Sequence, residues 1–347
     1  MKTSIGIGSA YYNGEDWDGL VEYTCAAERL GVDYAWSAEA WGMDAVVPLA
    51  YLAAKTDRIQ LGTGILQISS RVPSMVAMTS QSLQRVSNGR FVLGLGVSGP
   101  QVVEGLHGAA FAKPLTRLRE TVDVIKMGLR GDKLQYDGDH LVLPRPGGEG
   151  KPIRLSQPPC PDLPIYLATL GPKALEFTGE VADGWLGTSF LPEQAHVFFD
   201  YMKAGAERAG RTMADIDIQI GAHMEIGDDV ERLIDARRPA MAFTLGAMGS
   251  PKTNFYNAAY RRGGFEDAAI EVQKLWVEGK REEATARVPD ELVLKTSLIG
   301  TEDMVIERIG AYRDAGVTTL RLHTGGESFA DQISSLEQAM DLMNRAS

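Results

Sequence analysis

GRFVLGLGVSGP, residues 89–100, decides between two α/β folds. It carries three glycines in the spacing GxGxxG directly after an apolar run, as in the phosphate-binding turn of a dinucleotide-binding fold. That turn requires the glycines to open a helix, with a second strand ending in Asp or Glu about 20 residues later. Here Pro100 follows at once, and apolar residues recur at helical spacing where the second strand should lie, at Leu118, Val122, Ile125 and Leu129. The stretch therefore indicates a strand end in another α/β fold.

Short apolar runs alternate with helical patterns along the chain. The first unit is SIGIG (4–8) with a helical pattern that stops at Gly31, and the last strand is TTLRLHT (318–324). Eight such units predict a closed parallel (β/α)8 TIM barrel, because βαβ crossovers place the helices outside the sheet. Insertions are expected at about 131–163, as a hairpin with loops, and at about 239–300, as extra helices. No linker is evident, so residues 1–347 are predicted to form one domain.

The glycines of residues 89–100 acquire a different meaning in such a barrel. Active sites of TIM barrels lie at the C-terminal strand ends, where glycines let a flat ligand approach the backbone. GLGVSG then ends strand four, which places Gly96 and Ser98 at the site. The simpler alternative is that these glycines only form a tight turn.

Composition excludes several classes of protein. The 347 residues have a net charge of −11 and no run of Lys or Arg, which argues against nucleic acid and anionic membranes as partners. Two cysteines, Cys25 and Cys160, do not make a disulfide framework, which favours a reducing cytoplasm. The N-terminal stretch has too few apolar residues for a signal peptide, and no stretch approaches the roughly 18 needed to span a bilayer. We therefore expect a soluble cytoplasmic protein.

Several segments together carry a resemblance to a known family. RFVLGLG, VEGLHG, LGPKA and ADGW occur in the order and context of the bacterial luciferase-like barrel family. The chain resembles the branch that uses the deazaflavin coenzyme F420, and is similar to methylenetetrahydromethanopterin reductase-like proteins. The resemblance implies a hydride-transferring oxidoreductase with a small-molecule substrate, and a homodimer. A flavin mononucleotide (FMN) monooxygenase on the same barrel is the nearest alternative, and a non-catalytic cofactor-binding protein is an alternative of another class.

The segment LGPKALEF indicates an anion site. It places Gly171, Pro172, Lys173 and Ala174 between strand five and a helix, and the free N–H groups and dipole at a helix N-terminus favour a phosphate. The resemblance implies that the coenzyme phosphate lies at this loop. The alternative is an ordinary helix that begins with proline and has a solvated lysine.

The segment TGILQ is expected to support the coenzyme ring. The resemblance implies a cis peptide between Gly64 and Ile65, next to Thr63, that bulges against the central ring. The alternative is an ordinary strand end.

Three titratable residues are candidates for moving the proton that accompanies hydride transfer. Glu39 follows strand two and is the preferred proton donor or acceptor, and Glu104 and His107 lie in VVEGLHG. Each could instead be a surface charge or a structural histidine. Trp41 and Trp185 could line the pocket around the coenzyme ring, or they could only pack at the C-terminal end of the barrel. The remaining histidines lack metal-binding spacing, so no metal site is expected; they are His140, His196, His223 and His323.

The chain departs from the family at two places that bear on the substrate. Alcohol- and sugar-phosphate-oxidising relatives usually carry a histidine after strand two, where this chain has Ala38 and Glu39. Pterin-reducing relatives tend to have an acid at the end of strand one, where this chain has Gly8 and Ser9. The sequence therefore predicts hydride transfer to or from an organic substrate of unknown identity.

Overall fold

Parallel strands and helices alternate along the residues that the computed structural model describes, 1–7, 16–250 and 253–346. The strands are β1 (Lys2–Ile7), β2 (Tyr34–Ser37), β3 (Gln60–Thr63), β4 (Leu66–Gln67), β5 (Phe91–Gly96), β6 (Tyr136–Asp137), β7 (Val142–Leu143), β8 (Ile165–Ala168), β9 (Gly184–Gly187), β10 (Asp217–Ile226), β11 (Leu298–Gly300) and β12 (Thr319–Thr324). The helices are α1 (Trp17–Arg29), α2 (Val46–Ala53), α3 (Pro73–Val86), α4 (Pro100–Val103), α5 (Pro114–Arg130), α6 (Pro172–Val181), α7 (His196–Arg208), α8 (Val230–Gly246), α9 (Phe255–Tyr260), α10 (Glu266–Val277), α11 (Arg281–Ala286), α12 (Asp290–Thr296), α13 (Glu302–Asp314) and α14 (Phe329–Arg345). Short 3₁₀ turns cover Pro192–Gln194 and Met213–Asp215, and a π-helical turn, Arg261–Phe265, joins α9 to α10.

Eight of the strands close into a parallel barrel in the order β1, β2, β3, β5, β8, β9, β10, β12 and back to β1. This confirms the predicted (β/α)8 TIM barrel. β4 adds to β5 beyond the bulge that follows β3, and β11 pairs with the end of β10. The stretch 89–100 is the fourth barrel strand with its loop, as expected.

Helix ends follow the sequence signals in the first half of the chain. Asp16 caps α1 by accepting a hydrogen bond from the Gly19 amide at 2.7 Å. Gly31 and Gly131 adopt φ of +88° and +80° after α1 and α5, in the left-handed region that favours glycine. The apolar spacing of 114–131 is helix α5, so no second Rossmann strand follows the glycines.

Side chains alternate between the two faces of the barrel wall. In β10, Ile218, Ile220 and Ala222 pack outward against the helices in the main core, which leaves Gly221 and His223 on the inner face. A separate inner cluster fills the middle of the barrel; its buried members are Tyr34, Trp36, Val92, Tyr166 and Leu186. The interior is packed there, so a ligand can enter only near the ends.

Two regions lie outside the repeating strand–helix units, at about the positions where the sequence suggests insertions. Residues 131–163 contain the antiparallel hairpin of β6 and β7, and residues 239–300 contain α9 to α12. One boundary differs from the prediction, because α8 continues through Pro239 to Gly246. The continued helix packs into a second core with α10 and α12 through Met241, Ala242 and Leu245. This burial compensates for the backbone hydrogen bond that Pro239 cannot donate. In the described ranges, no helix is both long and apolar enough to cross a membrane.

A polar network closes the N-terminal end of the barrel. Asp217 accepts hydrogen bonds from Tyr166 at 2.8 Å, Thr319 at 2.9 Å and Gln219 at 3.0 Å, and from Thr318. Burial alone would raise the pKa of Asp217, but these hydrogen bonds hold the pKa below its ordinary value. The network explains why a charged side chain is tolerated at the base of the barrel.

Candidate active site at the C-terminal end of the barrel

A bulge after β3 forms the centre of the candidate site. The Gly64–Ile65 peptide is cis, as the resemblance implies. The Gly64 amide donates to the Ser37 carbonyl at 2.7 Å, and a Cβ on Gly64 would lie 3.1 Å from Cβ of Trp36. The Ile65 side chain reaches the inner cluster beside Ala168. The bulge therefore lies over the barrel interior at its C-terminal end.

The glycines of β5 are explained by this bulge. A Cβ on Gly94 would lie 1.9 Å from the Thr63 carbonyl oxygen, and a Cβ on Gly96 would lie 3.0 Å from Cδ1 of Ile65. Thr63 Oγ1 accepts from the Gly94 amide at 2.8 Å and donates to the Gly94 carbonyl at 2.9 Å. Ser98 follows with φ of +58°. The glycines thus allow close approach of β3 to β5 and do not form a phosphate-binding turn.

Glu39 lies beside the bulge in an ion pair with Arg71. Nη1 of Arg71 is 2.6 Å from each carboxylate oxygen, Ser70 Oγ donates to Oε1 at 3.1 Å, and the Ala45 amide donates to Oε2 at 3.4 Å. The Glu39 side chain is only 9% exposed. These contacts hold the Glu39 carboxyl group in one position, and no pattern in the sequence points to Arg71 as its partner.

Glu104 and His107 lie apart from this ion pair. Glu104 ends α4, and its Oε1 accepts from the Phe111 amide at 3.1 Å. Both side chains are exposed. A narrow cleft nearby is lined by Ile68, Val97 and Val103 among others. The structure brings neither residue into contact with Glu39, so their catalytic roles stay predictions.

The predicted phosphate loop is the N-terminus of α6. Pro172 is the first helical residue, and the Ala174 and Leu175 amides donate to the Gly171 carbonyl at 3.0 and 2.9 Å. A Cβ on Gly171 would meet open space, and Lys173 is exposed. Arg262, from the π-helical turn, donates to the Leu170 carbonyl at 2.7 Å. A second cation, absent from the sequence prediction, therefore lies beside this loop.

The histidines of β10 and β12 are brought together, although they looked scattered in the sequence. His223 and His323 are register partners, and Arg321 Nε donates to His323 Nε2 at 3.4 Å. Desolvation within the barrel mouth, with Arg321, Arg237 and His223 nearby, lowers the pKa of His323 below its ordinary value, although the side chain still reaches solvent. These neighbours favour neutral His323, which can accept this hydrogen bond. The signal in the sequence was the i, i+2 spacing of Arg321 and His323 on one strand face.

Other predicted positions have simpler roles. Trp185 is fully buried on the outer face of β9, where its Nε1 donates to the Thr169 carbonyl at 2.8 Å, so it packs the barrel wall. Trp41 is 52% exposed. Gly8 and Ser9 lie outside the described residues. Across the ranges that the structure describes, no three His, Cys, Asp or Glu side chains are grouped to hold a metal ion.

A depression of about 860 Å³ lies at the opposite, N-terminal end of the barrel. Its lining mixes four aspartates, Asp33, Asp183, Asp215 and Asp217, with the cations Lys2 and Arg313. Active sites of TIM barrels lie at the C-terminal strand ends, where the bulge and the cations described above also lie. We therefore place the candidate site at the C-terminal end.

Comparison with known proteins agrees with this architecture. Residues 1–319 match the model of the luciferase-like monooxygenases. The chain belongs to this family. It is 37% identical over 97% of its length to a Mycobacterium tuberculosis protein that carries the provisional name coenzyme F420-dependent oxidoreductase, covering 98% of that relative. It is 32% identical to the 5,10-methylenetetrahydromethanopterin reductase of Archaeoglobus fulgidus, over 86% of this chain and 87% of that relative.

A solved structure shows the same fold. The coenzyme F420-dependent tetrahydromethanopterin reductase from Methanopyrus kandleri superposes with a TM-score of 0.78, covering 100% of this chain and 98% of that one at 24% identity. The likeness in fold thus extends over the barrel and both insertions.

Proposed function

We propose that this protein is an oxidoreductase that binds coenzyme F420 at the C-terminal end of its barrel and transfers a hydride between the coenzyme and a small organic substrate. The observation that carries the proposal is the 37% identity, over 97% of the chain, to the M. tuberculosis relative named as F420-dependent. When bound, a deazaflavin supplies a carbon centre that accepts or gives a hydride.

The residues at α6 fit the phosphate of such a coenzyme. The helix N-terminus offers backbone N–H groups and the positive end of the helix dipole. Arg262 is half-buried at this loop, and its Nε is buried without a hydrogen-bond partner among the described residues. Gly171 leaves open space above the loop. Gly171, Pro172, Lys173 and Ala174, together with Arg262, are therefore proposed to hold the phosphate.

The residues around the bulge fit a flat ring. Thr63, Gly64 and Ile65 are proposed to support it from below, with Gly96 and Ser98 at its edge. Glu39 lies beside these residues and is proposed to donate or accept the proton, with Arg71 fixing the position of its carboxylate. His107 and Glu104 are proposed as alternatives for this proton.

Two other functions are outcomes that experiments separate from this proposal. An FMN monooxygenase would bind FMN in preference to F420. A non-catalytic F420-binding protein would bind F420 but show no turnover.

A homodimer is also proposed. The helices α2 and α3, with the residue before α3, expose several large apolar side chains that a second copy would cover. Sedimentation at micromolar protein concentration tests this proposal. Those side chains are Val47, Tyr51, Val72, Met75 and Met78.

Substitutions at the α6 loop test the placement of the coenzyme phosphate. Lys173→Ala is expected to weaken F420 binding about threefold to tenfold, since its exposed charge is screened by water. Arg262→Gln is expected to weaken binding by about tenfold or more, because a half-buried guanidinium makes stronger charge-assisted contacts. Fluorescence titration measures both, and rising ionic strength should weaken binding to the wild type.

Lys203→Ala on α7 is the matched control, because Lys203 is also an exposed lysine and, within the described part of the chain, its ion pair is with Glu207. Its F420 affinity should equal that of the wild type. If Lys173→Ala and Arg262→Gln also bind F420 with unchanged affinity, the phosphate lies elsewhere.

A further inference from the structure

Arginine and histidine side chains from two neighbouring strands converge on the inner face of the barrel mouth. Arg321 and His323 of β12 lie next to Gly221 and His223 of β10. A Cβ on Gly221 would come 2.9 Å from Nη2 of Arg321 and 3.0 Å from Nε2 of His323. A Cβ on Gly6 of β1 would lie 3.6 Å from Cε1 of His323. Small residues on both neighbouring strands thus make room for these two side chains inside the barrel.

The insertion adds a second arginine to this group. Arg237 of α8 is half-buried and close enough to both imidazoles to lower their pKa values further, although burial is the larger cause. Tyr256 of α9 lies near Arg321. We call Arg237, Arg321, His223 and His323 the basic cluster.

The positive charge of the basic cluster is not neutralised within the described residues. Among them, no carboxylate lies within ion-pair distance of Arg237 or Arg321, and Nε of Arg237 is buried without a hydrogen-bond partner. Among the described residues, Glu225 contacts the cluster through His223 at 3.6 Å, and it also pairs with Arg232 at 3.4 Å. Two partly desolvated guanidinium groups without counter-ions among these residues are unfavourable in the free protein, so their presence at the mouth points to an anion that completes the site.

The position of the basic cluster separates it from the proposed phosphate loop. Lys173 and Arg262 lie at the end of β8, whereas the basic cluster lies at β10 and β12, and β9 stands between β8 and β10 in the barrel. The basic cluster therefore lies two to three strands further round the barrel than the proposed phosphate loop.

We propose that the basic cluster binds a carboxylate or phosphate group of the substrate, so that the substrates of this enzyme are small organic anions. Arg321 would donate to the oxyanion, and Arg237 would add positive charge nearby. His323 holds the Arg321 guanidinium in place, because its Nε2 accepts the hydrogen bond from Nε of Arg321. This inference rests on the proposed function, because it assumes that the C-terminal mouth is where the substrate meets the coenzyme.

Calorimetric titration with inorganic phosphate and with acetate tests the inference, using the free protein and the protein saturated with F420. At least one of the two anions is expected to bind in both states. Arg321→Gln and Arg237→Gln should each weaken that binding about 10- to 100-fold, while F420 affinity stays within about twofold. Arg287→Gln is the matched control, because Arg287 is an exposed arginine paired with Glu271, and it should behave as the wild type.

Three results would overturn the inference. The first is that neither anion binds the wild type. The second is that the control variant loses anion binding as the cluster variants do. The third is that the anions compete with F420 and that the cluster variants lose as much affinity for F420 as for the anion. The last result would assign the basic cluster to the coenzyme and leave the proposed function intact. Failure of the wild type to bind F420 would instead contradict the proposed function. If Arg321→Gln does not fold, the Arg237→Gln variant still tests the inference.

Discussion

Replacing Glu39 with Gln is expected to lower turnover roughly 100-fold or more, in line with typical general acid–base contributions. The amide keeps the size of the side chain and can still accept a hydrogen bond from Arg71, but it has no exchangeable acid proton. F420 binding should stay within a few-fold of the wild type, because the amide keeps the size of the Glu39 side chain and leaves the proposed phosphate contacts at α6 unchanged. Turnover is followed by the absorbance of the coenzyme at saturating substrate.

The Arg71 contact supplies the control for this experiment. Arg71→Met removes the ion pair but leaves the carboxylate, so an acid–base role predicts a smaller loss than for Glu39→Gln and a changed pH profile. If Glu39 only positions Arg71, the two single variants and the double variant should lose turnover equally. If turnover of Glu39→Gln stays within a few-fold of the wild type, Glu39 only lines the site, and His107 or Glu104 becomes the candidate for moving the proton.

Gly94→Ala is expected to cost about 3 kcal/mol or more of unfolding free energy. Its added Cβ would lie 1.9 Å from the Thr63 carbonyl oxygen, which is backbone and cannot rotate away. β3 and β5 would have to separate, and the paired hydrogen bonds between Thr63 and Gly94 would be lost. Chemical denaturation followed by circular dichroism measures the change.

Gly325→Ala is the matched control for this loss, because nothing lies within 4 Å of a Cβ added there. Its stability should stay within about 0.5 kcal/mol of the wild type. Equal stability of Gly94→Ala and Gly325→Ala would mean that the close approach of β3 to β5 is not needed, and the account of the GLGVSG glycines would be wrong.

The barrel could be predicted because its signals are local. Each strand and helix has its own periodicity, and capping residues such as Gly31 and Gly131 mark where helices end. The end of α8 could not be predicted, because Pro239 is a local signal to stop. Burial of Met241 and Leu245 in the second core, supplied by helices far along the chain, overrides that signal.

The candidate site was only partly predictable for a related reason. The α6 loop and the strand-end glycines are contiguous in sequence and could be identified from it. Arg71 and Arg262 act through partners 32 and 92 residues away, and Arg237 acts on His323 from a different part of the chain, which no local pattern connects. The pairing of His223 with His323 depends on the register between β10 and β12, which the order of strands in the closed barrel determines.

A comparison of F420 and FMN binding to the wild-type protein tests the proposed function most directly. Each coenzyme is titrated under identical ionic strength, with fluorescence as the readout. We expect F420 to bind at least about tenfold more tightly than FMN. Binding of FMN as tight as that of F420, or no binding of F420, would contradict it.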